Sequence, residues 1–267
     1  VRAPHEMTVA AGGSAGKTIG RYANRIARGE LPLDGTVYSL LTNENGNTLH
    51  GGPDGFSKRE WALGRDASGR SAKFSLVSDD GDQGFPGRLE AHVMYSWSDE
   101  DELTISYLAT VSEKPTVVNF TNHVYFNLRG DESSVAEYVL QVNASEYVVV
   151  DSDLIPTGEI APVAGTGLDF RQPEPLGERA IDRNFAIDGW DGSLRLVGQL
   201  SDPRSGYGID VSTTLPGFQL YTGKPGAVAM EMQHFPDAPH HDNFPSTVLR
   251  PGERFEAAIV YRFTGSR

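Results

Sequence analysis

The amino-acid sequence predicts an all-β protein, a sandwich or a barrel, from three observations. Apolar and polar residues alternate at Leu89, Ala91, Val93, Tyr95 and Trp97 and, after Ser98-Asp99-Glu100-Asp101, at Leu103, Ile105, Tyr107, Ala109 and Val111. That is the pattern of a long antiparallel hairpin. The other strand-like runs are short and are bounded by Gly, Pro, Asn and Asp, and 30 glycines and 16 prolines leave little room for long helices. No repeat or linker divides the 267 residues, a length that β-sandwiches and barrels reach as one domain.

In chain order, residues 1–17 are rich in Ala and Gly and are expected to be flexible or to form a shortened N-terminal edge. The block 20–29 sets Arg21, Arg25 and Arg28 among small residues. These are either solvated charges on a turn, or a loop whose Asn24 and Arg25 offer donors to a polar ligand. Asp34-Gly35 within 31–41 is a hairpin signal. Residues 43–61 read as a loop that presents His50 just before two glycines, where backbone can approach closely. His92, on the polar face of the long hairpin, reads as structural.

Residues 117–128 read as a strand with two unlike faces. Val118, Phe120, Val124, Phe126 and Leu128 lie on one, and Asn119, Thr121, His123, Tyr125 and Asn127 on the other. A row of Asn, Thr, His and Tyr without Lys or Glu is expected to line a wet cavity. Taken alone, His123 is either a chemical group or a histidine satisfying a nearby carbonyl. Further on, 137–150 is a β-type run, 152–159 is turn chemistry, 177–185 is expected to hold a short helical turn, and 194–199 and 208–214 read as strands. In 227–233 a lone carboxylate, Glu231, sits in an apolar run. It is either a tuned acid–base group or the partner of an arginine such as Arg25.

Composition narrows the function. With 36 acidic against 23 basic residues the net charge is −13, which disfavours nucleic acid and anionic membranes as partners. No cysteine is present, which rules out disulfides and thiolate metal sites. His240-His241-Asp242, between prolines, lacks metal-site spacing, and neither a nucleophile elbow nor a phosphate loop occurs. No apolar run matches a membrane span or a secretory signal, so the expected location is cytoplasmic. A start at Val1 rather than Met is also compatible with an upstream segment removed in processing, and then with the periplasm. The remaining polar inventory suits a neutral, polyhydroxylated small molecule, with Tyr125 and Trp61 as candidates to stack on a sugar face.

Eight blocks in order resemble the aldose 1-epimerase, or galactose mutarotase, family. They are Gly20-Arg21-Tyr22-Ala23-Asn24-Arg25-Ile26; Asn47-Thr48-Leu49-His50-Gly51-Gly52; Gly84-Phe85-Pro86-Gly87; and Asn119-Phe120-Thr121-Asn122-His123 with Tyr125-Phe126-Asn127-Leu128. Then follow Leu154-Ile155-Pro156-Thr157-Gly158-Glu159-Ile160; Asp182 with Asn184-Phe185; Pro216-Gly217-Phe218-Gln219 with Tyr221-Thr222-Gly223; and Glu231 through Gln233-His234-Phe235-Pro236-Asp237.

The resemblance implies a single-domain, large antiparallel β-sandwich over 1–267 that binds a hexose or pentose and needs no cofactor. It implies that Glu231 takes the proton from the anomeric hydroxyl and that His123 protonates the ring oxygen. Arg25, His50, Asp182 and Gln219, with Asn24 a weaker candidate, would hydrogen-bond the sugar hydroxyls. Val124, Arg183 and Leu215 depart from the family's usual Ser, His and acidic residue. The N-terminal strands are shortened, and Lys224-Pro225-Gly226 is a brief link before the Glu231 strand, which leaves a sandwich edge open or covered by a second subunit in a homodimer. Competing functions are a hexose-phosphate 1-epimerase, a catalytically silent sugar-binding protein, and a glycosidase pairing Glu231 with Asp182.

Overall fold

A computed structural model describes residues 13–65, 69–131 and 133–265. Of the expected N-terminal segment, 1–12 lie outside the described residues, and 13–17 form turns leading into Thr18–Ile19. Two large antiparallel sheets dominate. The nine-stranded sheet runs in the order Glu174–Pro175, Val139–Val142, Arg195–Ser201, Tyr207–Thr213, Phe255–Gly265, Glu102–Ser112, Arg88–Trp97, Ser71–Ser78, Ala62–Arg65. The six-stranded sheet runs Tyr125–Phe126, Val228–Gln233, Gly217–Tyr221, Asp182–Ala186, Glu146–Val150, Pro156–Pro162. The expected hairpin is there: Arg88–Trp97 pairs with Glu102–Ser112 over its whole length.

The sheets are held face to face by strand alternation. Val93, Ile105, Tyr107, Val211 and Ile259 of the larger sheet share one core with Phe185, Phe218, Leu220, Val228, Met230 and Met232 of the smaller one. Because successive strand residues point to opposite faces, the outer face of the smaller sheet receives Asp182, Asn184, Gln219, Tyr221, Glu231 and Gln233. That polar face is buried under a third layer built from residues 18–27, 47–56 and 234–244. Short 3-10 turns such as Phe56–Lys58 and Ala238–His240 serve as corners, and no helix of the described residues is long and apolar enough to cross a membrane.

Three expectations are corrected. Residues 117–128 do not form one strand with a wet face. They break into Thr116–Val117, Thr121–Asn122 and Tyr125–Phe126, which pair in turn with Val248–Leu249, Thr18–Ile19 and the start of Val228–Gln233. Lying between the sandwich and the third layer, the segment is covered on both sides, so Val117 through Val124 are all buried. Residues 177–185 hold a strand rather than a helical turn: Asp182–Ala186 pairs residue for residue with Gly217–Tyr221, and Phe185 enters the core. The run 137–150 is two strands in different sheets, because the chain crosses over at Asn143–Ser145.

Hydrogen bonds from side chains fasten the third layer. Arg21 is 1% exposed and its guanidinium donates to the carbonyls of Pro86, Gly87 and Ser78 and to the hydroxyls of Ser78 and Thr116. Burial lowers it to about 10, with Asp82 and its neighbours opposing the shift, so it remains a cation at neutral pH. Asn119 donates to the Ala23 and His234 carbonyls and accepts from His234 N–H, and Asp237 accepts from Ala27 N–H and faces His240 Nδ1 at 2.7 Å. Replacing Arg21 by Met strands several buried carbonyls together. Urea denaturation of Arg21→Met is expected to give a stability loss of about 3 kcal/mol or more, and Arg21→Lys, which cannot span the same set of acceptors, a smaller one.

Candidate active site

Glu231 owes its position to strand period. In Val228–Gln233 the residues Val228, Met230 and Met232 enter the core, which turns Glu231 toward the third layer at 2% exposure. His123 comes from the covering segment and meets it there, Nε2 standing 3.5 Å from Glu231 Oε1. Backbone ties hold His123 in place: its N–H donates to the Lys17 carbonyl and its carbonyl accepts from Gly16. On one side His123 stacks on Tyr125, with centroids 4.9 Å apart and planes at 27°; on the other His50 meets it edge-on at 5.3 Å.

The low-dielectric setting decides the charges. Burial pushes the Glu231 carboxyl well above its usual range, Asp182 adds to the rise, and Arg25 opposes it. Burial lowers His123 to about 4, its own carbonyl working against the shift and Lys224 with it. Burial likewise takes His50 down to about 3, helped by His123 and Arg25. His50 is therefore neutral, and its tautomer is set by contact. Its Nδ1 accepts from Asn24 N–H at 3.1 Å while its N–H donates to the Asn24 carbonyl, so the remaining ring proton lies on Nε2. That reciprocal pairing needs a tight corner. His50 has φ 53°, and at Gly51 a Cβ would lie 2.1 Å from the Gly20 carbonyl oxygen.

A polar chain leads away from the pair. Gln219 faces Glu231 across one strand and Asn184 across the other, and its Nε2 donates to Asp182 Oδ1 at 2.6 Å. Asp182 is 3.7 Å from Arg25 Nη1, and burial raises its pKa although Arg25 and Gln219 pull it down. Arg25 is fixed from behind by a bidentate pairing with Glu44, Nε–Oε2 at 2.6 Å and Nη2–Oε1 at 3.0 Å. Arg25 thus pairs with Glu44 and Asp182, not with Glu231. A shallow recess opens at this end, with Asn24, Arg25, Asp182, Asn184 and Gln219 as polar walls and Val148, Val150 and Leu154 as apolar ones.

Glu231 Oε2, Gln219 Oε1 and both amide atoms of Asn184 are buried and bond to no other protein group. Each such group costs about 1–3 kcal/mol unless something outside the chain satisfies it. The row is therefore suited to a bound molecule with several hydroxyls, and the Glu231–His123 pair to moving a proton at each end of one bond.

Of the seven expected site residues, Glu231, His123, His50, Arg25, Asp182 and Gln219 converge on this one region. Asn24 lines it too, but its carboxamide oxygen is used by the Arg25 N–H, so its structural service is to shape the corner that orients His50. Trp61 is not brought to the site: its Nε1 donates to the Phe56 carbonyl and its ring packs edge-on against Phe56. The wet-face reading also overreached, because Asn119 is spent on the third layer and Asn127 is exposed and bonds within its own loop. Glu44 and Lys224 were missed. Glu44 sits in an ordinary-looking Asn-Gly turn, and Lys224, with Nζ 4.5 Å from the centre of the Tyr125 ring, in a short loop. His240 and His241 contact Asp237 and the Pro156 carbonyl, away from this region.

The aldose 1-epimerase family model matches residues 5–262. Aldose 1-epimerase of Escherichia coli (strain K12) is 38% identical over 276 residues, covering 93% of this chain and 79% of that protein. Galactose mutarotase of Homo sapiens is 39% identical over 274 residues, covering 93% and 78%. Among solved structures, the GalM/aldose epimerase homologue from C. elegans superposes with a TM-score of 0.88 at 34% identity, covering 96% of this chain and 84% of that one. Galactose 1-epimerase from Lactobacillus acidophilus NCFM, at 24% identity, shares the fold with a TM-score of 0.81 over 99% and 82%.

Because the Lys224 cation disfavours an imidazolium at His123, neutralising it should raise the His123 pKa. NMR titration of the His123 ring in Lys224→Met is expected to show an upward shift, and in Lys224→Arg little change.

Proposed function

The chain belongs to the aldose 1-epimerase family and has its mutarotase function, and from that premise we propose how its residues interconvert the α and β anomers of a free, neutral aldose. The observation that carries the assignment of roles is the 3.5 Å apposition of His123 Nε2 and Glu231 Oε1 inside a buried polar row. The Glu231 carboxylate accepts the proton of the anomeric hydroxyl while the His123 imidazolium donates its proton to the ring oxygen. The C1–O5 bond breaks and C1=O forms. After rotation about C1–C2, O5 attacks the other face of the carbonyl, returns its proton to His123, and receives none in exchange; O1 is reprotonated by Glu231. Every proton is restored, so the chemistry needs no cofactor.

His50 donates through Nε2 and remains neutral, Arg25 offers fixed donors, and Asp182 and Gln219 supply a linked acceptor and donor to ring hydroxyls. Their role is to hold the hemiacetal so that both transfers are in reach, which is where positioning contributes most. The joint presence of both proton-transfer groups favours catalysis over silent sugar binding.

Protonation of the pair sets the pH dependence. Burial raises Glu231 and lowers His123, so over the intervening range the two together hold one proton and carry no net charge. Below about 4 a second proton arrives and the base is lost; above the raised Glu231 value the single proton leaves and the acid is lost. Polarimetry on freshly dissolved α-glucose and α-galactose is therefore expected to give a bell-shaped kcat/KM profile whose acid limb falls through about pH 4. Glu231→Gln and His123→Asn should each lower the rate by about 10²–10⁴. Wild-type protein at micromolar concentration doing no better than buffer, or both variants keeping full activity, would refute this mechanism.

A further inference from the structure

We propose that Asn184 is a substrate-binding residue that reads the hydroxyl on C3 or C4, the carbons across the sugar ring from the anomeric centre. The inference rests on the mutarotase reading and extends it to a residue outside the expected set. Asn184 shares a same-face row with Gln219 and Glu231 on three adjacent strands. It therefore lies two strand spacings, roughly 10 Å, from Glu231 along the sheet. With C1 held at Glu231, the far side of a pyranose reaches past Gln219 toward the recess, where Asn184 is one of the polar walls.

Two observations favour a ligand contact over a structural bond. Asn184 is 2% exposed, yet neither its amide nitrogen nor its carbonyl oxygen bonds to any protein group. A purely structural residue at such a place would be better apolar, since a buried amide that bonds to nothing only destabilises. The neighbouring strand also makes room for it. At Gly217, whose backbone does not require a glycine, a Cβ would lie 2.6 Å from Asn184 Oδ1 and 3.1 Å from Nδ2. The carboxamide is thus packed over Gly217, with a donor and an acceptor unspent. Next to it, Gln219 Nε2 and Asp182 Oδ1 satisfy each other, so they leave Asn184 free of both. A carboxamide can donate to a hydroxyl or accept from one, and its position relative to the ring decides which configuration at that carbon is held.

The test combines variants with a panel of glucose and its 2-, 3-, 4- and 6-deoxy analogues, followed by polarimetry or by NMR exchange between anomers. Asn184→Ala and the near-isosteric Asn184→Leu are expected to raise KM for glucose by about tenfold, the worth of one hydrogen bond, while kcat stays within about threefold. That penalty should disappear for either the 3-deoxy or the 4-deoxy sugar and persist for the 2- and 6-deoxy sugars. Asn184→Leu should keep or raise the Tm, because it removes a buried amide without protein partners. Wild type alone supplies a second reading, a raised KM for the same deoxy sugar. An unchanged KM in both variants, or a penalty equal across all five sugars together with a fall in Tm, would overturn the proposal and leave mutarotation intact. A wild type inactive on every sugar would overturn the mutarotase reading and this inference with it.

Discussion

The site depends on one carboxylate and one imidazole kept together where neither is well solvated. Glu231 and His123 approach from different layers, the first on a strand of the sandwich and the second on the segment laid across it. Burial acts on them in opposite senses, raising the carboxyl and lowering the imidazole, so the pair retains a single proton over a wide range. In the proposed mechanism, acid and base are obtained from groups whose ordinary pKa values would leave one charged and the other neutral near neutrality. The remainder of the architecture keeps those two groups at that separation and out of bulk water.

That duty falls on the third layer. A sheet face carrying Glu231, Gln219, Gln233 and Asn184 could not be left to a loosely attached loop, since each polar group there must be shielded and positioned together. The layer is anchored by polar groups whose hydrogen bonds go to the protein itself. Arg21 gathers the 78–87 and 116 regions beneath it, Asn119 clamps residues 23 and 234, and Asp237 receives Ala27 N–H. Buried polar networks of this kind stabilise when every member is paired and specify one arrangement of the backbone around them. The contrast with the unpaired row beneath is physical: the anchors spend their hydrogen bonds on the protein, and the site face holds its own in reserve.

The binding end is organised by a relay of charge. Glu44 holds Arg25 from outside, Arg25 approaches Asp182, and Asp182 accepts from Gln219. Two carboxylates around one guanidinium orient it without neutralising the region completely, and the proximity of Asp182 adds to the rise in the Glu231 pKa. Lys224, seated on the Tyr125 ring, adds to the lowering of the His123 imidazole. The tuning of the Glu231–His123 pair and the proposed sugar-binding end are therefore parts of one electrostatic arrangement.

Period-two alternation in the sequence determined the long 88–112 hairpin, the burial of Val228, Met230 and Met232, and so the outward turn of Glu231, because strand geometry is local. The ordered motifs pointed to Arg25, His50, His123, Asp182, Gln219 and Glu231 as one set. The same alternation misled at 117–128, where a segment covered on both sides has no wet face for its pattern to report, and at 177–185, where pairing with Gly217–Tyr221 overrode a helical turn. Nothing local in Asn43-Glu44-Asn45-Gly46 or Lys224-Pro225-Gly226 reveals a partner of Arg25 or a cation over the Tyr125 ring. Tertiary structure alone decided these contacts, and with them which asparagine is spent on the scaffold and which is left with donors to offer. Side chains from residues far apart in the chain share a dielectric and a hydrogen-bond inventory only after the layers have closed.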